Sequence, residues 1–202
     1  NNGSGALSIT ASAYGTVTGT SFDGIRARNN ADTTDLTISA RNVNGGIGGI
    51  YANNLGTGIT SVTASDFGQV TATSSFSTGI TARNSAAATG DMTVSAGNVT
   101  GDSNGIYARN DGSGALSVTA SSFGQVTGTN STGIRANNGV AGTDITVSAG
   151  NVTGAYTAMS VFNSGTGATS VTVAGQATGS VFGSSGSNST GDVTVLTAGV
   201  TS

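Results

Sequence analysis

The stretch Gly105-Ile106-Tyr107-Ala108-Arg109-Asn110-Asp111-Gly112-Ser113-Gly114-Ala115-Leu116-Ser117-Val118-Thr119-Ala120 decides how this chain folds. Apolar and polar residues alternate through Ile106/Ala108 and again through Leu116/Val118/Ala120, with Asn, Asp, Gly and Ser between the two runs. Period-two alternation bounded by turn residues marks half-buried β-strands. The stretch also recurs. Gly-Ile-x-Ala-x-Asn runs from Gly24 to Asn29, Gly49 to Asn54, Gly79 to Asn84 and Gly133 to Asn138, with degenerate copies from Ala158 to Asn163 and from Ser180 to Ser185. The second run returns at Leu7, Leu36, Met92 and Ile145, and more loosely around Val62, Val171 and Val195. A third, shorter element, x-Val-Thr-Gly or a close variant, centres on Val17, Val43, Val70, Val99, Val126, Val152, Ala177 and Val200.

Each repeat therefore holds three short strands, and a unit of that size buries its apolar face only by stacking on its neighbours. The expected fold is all-β: a right-handed parallel β-helix of about eight turns, the last lacking its third strand, with no evident caps. At the parallel-strand spacing the rod is roughly 38 Å long. Residues 1–202 read as a single solenoid domain cut from a longer array. Leu, Ile and Val of the first strand, Val of the second, and Ile with Ala of the third should point inward. The offset after the third strand places Asn29, Asn54, Asn84, Asn110, Asn138 and Asn163 in one column, with Asn1 in the same place before Leu7. Stacked amides of this kind hydrogen-bond along the axis, which predicts a structural Asn ladder. A longer period of about 55 residues is visible too. Odd turns carry an aromatic-Gly corner (Tyr14-Gly15, Phe67-Gly68, Phe123-Gly124), and even turns a shorter one (Arg41-Asn42, Gly97-Asn98, Gly150-Asn151).

Composition agrees with strands. Of 202 residues 34 are Gly, all six cations are Arg, all nine anions are Asp, and Lys, Glu, Pro, Cys, His and Trp are absent. Lys and Glu favour helices, whereas Thr, Val, Ser and Asn favour strands and turns. Without Cys or His there is no disulfide, no thiolate nucleophile, no thiolate or imidazole metal ligand and no imidazole base. No apolar run is long enough for a transmembrane helix.

Catalysis would have to rest on carboxylates. Asp35, Asp91, Asp144 and Asp192 each open the first strand of an even turn, and neighbours in that series lie two turns apart, roughly 10 Å, too far for a retaining glycosidase pair. Turn chemistry, with Asp bonding its local backbone, explains them more simply. No metal or cofactor site is expected: the nonapeptide of calcium-loaded β-rolls is missing, and no Gly-rich stretch opens a helix. The outward columns of the third strand are more informative. They carry Arg26, Arg28, Tyr51, Arg83, Tyr107, Arg109 and Arg135, five of the six Arg on one face. Such a stripe can bind acidic glycans through bidentate Arg contacts and aromatic stacking, or simply solubilise a sheet. Nucleic acid is not an expected partner of a chain with net charge −3. A Thr column after the second strand (Thr18, Thr71, Thr100, Thr127, Thr153, Thr178, Thr201) leaves an ice-binding solenoid as a remote reading.

The repeat style of Gly105 to Ala120 resembles the passenger regions of bacterial autotransporters and the large filamentous haemagglutinin-type adhesins. The resemblance covers nearly the whole chain but rests on repeat style, not on a diagnostic motif, and carries over no site residue. It implies a right-handed β-helix exposed on, or released from, the outer surface of a Gram-negative bacterium. The function expected is then a non-catalytic structural or adhesive β-helix, with a host or neighbouring-cell surface glycan or protein as partner. The alternative is an extracellular fibre subunit that stacks end to end through open strand edges. A polysaccharide-acting enzyme is a remote third.

Overall fold

The computed structural model describes residues 1–11, 14–185 and 192–201, and for 183–185, 200 and 201 the backbone only. Strands and turns make up the described residues, with no helix among them. The chain coils so that each strand pairs, parallel, with the strand one full turn later, giving three faces. The first face holds Leu7–Thr10, Leu36–Ala40, Thr60–Ala64, Met92–Ala96, Leu116–Ala120 and Ile145–Ala149. The second holds Thr16–Gly19, Asn42–Gly45, Gln69–Ala72, Asn98–Gly101 and Gln125–Gly128. The third holds Ile25–Asn29, Gly48–Asn54, Thr78–Asn84, Asn104–Asn110 and Thr132–Asn138.

Seven turns are complete and an eighth adds its first two faces. The expectation of short strands throughout fails in the last turns. Asn151–Asn163 runs through two faces, Thr169–Ser185 through three, and Val193–Thr201 through two. Punctuation there thins to single glycines such as Gly154, Gly175 and Gly179, so ladder bonding continues round the corners. Ser202, where a third strand of the eighth turn would begin, lies outside the described residues.

Register is set by identity of side chain. Leu36, Ile38, Val62, Val94, Leu116, Val118, Ile145 and Val147 stack on the first face, and Val43, Val70, Val99, Val126 and Val152 on the second. Ile50, Ile80, Ile106 and Ile134 stack on the third, beside Ala52, Ala82, Ala108 and Ala136. All are fully buried or nearly so. Two polar residues break the first-face column: Thr60 and Thr169 are buried where neighbouring turns have Leu, Met or Ile. Thr60 keeps its hydroxyl satisfied by donating to Asn84 Oδ1.

Glycine marks the close approaches. A Cβ on Gly49, Gly79, Gly105 or Gly133 would overlap Cγ1 of the second-face Val one turn on and the backbone carbonyl of the matching residue there. Only a bare Cα lets that corner close over a Val.

Candidate functional site

The third face carries the most concentrated surface chemistry. Strand alternation sends Ile and Ala inward and the intervening residues out, and the register lines those up in two columns. One reads Arg26, Tyr51, Thr81, Tyr107, Arg135, Ser160; the other reads Arg28, Asn53, Arg83, Arg109, Asn137, Phe162. All seven residues expected on the stripe thus share one surface.

They contact one another. The Arg26 guanidinium lies 4.9 Å from the Tyr51 ring centroid, and those of Arg83 and Arg135 lie 5.2 and 5.8 Å from that of Tyr107. At these separations the ring quadrupole attracts the cation and holds its long side chain in place. Two arginines also have acids. Arg26 Nε donates to Asp23 Oδ2 at 2.6 Å, and Arg109 Nε approaches both oxygens of Asp111 at 2.9 and 3.0 Å. These contacts raise the pKa of both guanidiniums, through the side-chain hydrogen bond first and charge attraction second. Arg28, Arg83 and Arg135 have no carboxylate within 4.0 Å among the described residues. They are the part of the face able to take an external anion.

Thr81 shapes the surface between them. It is a small residue between two tyrosines of its column, so Tyr51 and Tyr107, two turns apart and about 10 Å along the axis, stand on either side of a gap. The resulting groove of about 300 Å³ is bordered by Arg26, Tyr51, Phe76, Thr81, Arg83 and Tyr107. Phe76 overhangs it from the adjoining corner with φ of 63°, the one positive φ found outside glycine among the described residues. Left-handed backbone costs a phenylalanine about 1–2 kcal/mol. Its N–H donation to Asp102 Oδ2 at 2.7 Å holds that conformation.

The Asn column is buried, at 0–2% exposure from Asn29 to Asn163. Asn84 donates to Asn110, Asn110 to Asn138 and Asn138 to Asn163, at 3.2, 3.0 and 3.3 Å, and Asn1 donates to Asn29 at 3.3 Å. Between those runs, Asn29 and Asn54 both donate to the carbonyl of Thr34, and Thr60 donates to Asn84. Except at Asn84, whose amide bonds only neighbouring turns, each also closes its own loop. Asn110, for example, accepts from Gly112 N–H and donates to the Gly114 carbonyl, at 3.2 and 2.8 Å.

The acids that open the even turns do something the sequence reading missed. They bond not their local backbone but the next turn: Asp35, Asp91 and Asp144 accept from the N–H groups of Ile59, Ala115 and Ala168, at 2.9, 2.8 and 2.7 Å. At the other corner Asn42, Asn98 and Asn151 accept from the N–H groups of Gln69, Gln125 and Gln176. Even turns thus present acceptors to odd ones, which is the physical content of the two-turn repeat. The Asp23–Arg26 pair was also missed; its signal is the spacing in Asp23-Gly24-Ile25-Arg26. The Thr residues after the second strand stand in register, with Asn44 in the gap.

Fold and face together define the class: a repeat-built parallel β-solenoid with five of its six arginines and two of its four tyrosines on one surface. No family model, curated protein or solved structure matches the chain.

Proposed function

We propose that this chain is a non-catalytic, surface-displayed structural and adhesive β-helix, akin to autotransporter passengers and filamentous haemagglutinin-type adhesins, at the outer surface of a Gram-negative bacterium. Its contact surface is the Arg/Tyr face and its partner an acidic surface glycan. The observation that carries this reading is the presence of Arg28, Arg83 and Arg135 on one flat surface without an acid partner among the described residues, two of them stacked on Tyr107. Stacking limits the rotamer entropy lost on binding, and planar guanidinium suits bidentate capture of a carboxylate or sulfate. A non-catalytic role is supported by the use of the Asp35, Asp91 and Asp144 carboxylates to hold the next turn.

A panel of acidic and neutral glycans tests the proposal. The native chain should bind carboxylated or sulfated members, with affinity falling as salt shortens the Debye length from about 8 to 3 Å. Arg83→Ala combined with Arg135→Ala should weaken binding at least tenfold, about 1.4 kcal/mol, and leave the far-UV circular dichroism unchanged. Binding that survives both substitutions removes the face from the proposal, and depolymerisation of any panel member overturns the non-catalytic reading.

A further inference from the structure

A second surface lies on the corner between the first and second faces. On the first, third and fifth turns this corner lifts an aromatic ring into solvent: Tyr14, Phe67 and Phe123 are 92%, 81% and 90% exposed. The backbone fixes the two Phe. Gly68 and Gly124 N–H groups donate to the carbonyls of Ser65 and Ser121 at 2.7 and 2.9 Å, closing tight turns with the ring at the third position. A Cβ on Gly68 or Gly124 would overlap the carbonyl of Arg41 or Gly97 in the shorter even-turn corner beside it. The shorter corners leave slots between successive rings, of about 430 and 500 Å³. Ser39 and Ser65 border the first slot, Ser95, Thr119 and Ser148 the second.

The row of rings contributes nothing to the core, yet recurs at an axial interval of about 10 Å, two parallel-strand spacings. Slots lined by Ser and Thr hydroxyls as well as Ala methyls interrupt it, so the rings do not merge into the continuous apolar patch that a second rod would cover. One half-buried cation, Arg41, and one anion, Asp66, border it, giving little selection for charge. A neutral polymer with flat apolar ring faces and hydroxyl edges matches both features. Two sugar units of an extended β-1,4-linked chain span about the same interval, so every second ring turns the same face to the rod. We propose that Tyr14, Phe67 and Phe123 form a stacking platform for a neutral, extended β-1,4-linked polysaccharide. This surface does not include the Arg/Tyr face, and neither reading depends on the other.

Cellohexaose is the probe, with maltohexaose, whose α-linkages curl the chain, as the shape control. Titration calorimetry should show cellohexaose binding, at least tenfold weaker binding of maltohexaose, and unchanged cellohexaose binding in Arg83→Ala. Phe67→Ala combined with Phe123→Ala should reduce cellohexaose binding at least tenfold; both rings are exposed, and unchanged circular dichroism verifies the fold. The proposal is overturned by absence of cellohexaose binding at millimolar concentration, by equal affinity for maltohexaose, or by binding that survives the double substitution. It is equally overturned if sedimentation shows the native chain self-associating through these rings, with the double variant monomeric; the row would then belong to a second copy.

Discussion

At the scale of single residues, the fold turns on what the corner beside the second-face Val column tolerates. Five turns place Gly there against Val one turn on. The sixth turn has Ala158, in register with Gly133, and the seventh has Ala177, in register with Val152. One methyl is added and two are removed at matching places, and both residues are fully buried. Ala177→Val should therefore overpack against Ala158 and destabilise by about 1–3 kcal/mol, whereas the same substitution beside Ala158→Gly should recover most of that loss. A double-mutant cycle of denaturation midpoints measures the coupling; additive effects would show that the two positions do not share the corner.

At the scale of strands and corners, Asp and Asn of the even turns hold the backbone of the odd turns. Asp91→Ala should leave the Ala115 N–H without its acceptor and cost about 0.5–1.5 kcal/mol. Asp91→Asn retains an oxygen at the same place and should cost less; amide exchange at Ala115 reads the difference. Much of the element plan was legible in the sequence because period-two alternation is local: Leu116-Ser117-Val118 declares a strand without reference to anything else. The Asp91–Ala115 bond was not legible, because it spans 24 residues and depends on axial register between turns of unequal length. Its trace is recurrence of Asp at the same strand start in alternate turns, which marks the acceptor but not the backbone it bonds. The fusion of strands in the last turns escaped for a related reason. Absence of a turn signal at Ala155-Tyr156-Thr157 is weaker information than its presence elsewhere. On the Arg/Tyr face the columns were readable from the repeat. The pairing of Arg26 with Asp23 and the overhang of Phe76 depend on corner geometry that the strand pattern does not encode.

At the scale of the whole molecule, strands of the described residues pair only with those of the turns before and after, so stability accumulates turn by turn. Among the described residues no helix is long and apolar enough to cross a membrane. The alternation of even and odd corners means that turns are not interchangeable, but pairs of turns are. Leu36 and Met92 both follow an Asp at a strand start, 56 positions apart (92 − 36), and occupy the same column. Excising residues 36–91 joins Asp35 to Met92 and leaves each even corner beneath an odd one. Excising 36–59 instead sets the Phe67 corner directly on the Tyr14 corner and deprives Gln69 N–H of Asn42. The first deletion should melt cooperatively as a rod shorter by about 10 Å in small-angle scattering, and the second should lose folded content in circular dichroism. The rod's reach is then a quantised property: a lineage or an engineer can lengthen or trim it by gene duplication and loss in whole two-turn units, with no new sequence needed at the splice.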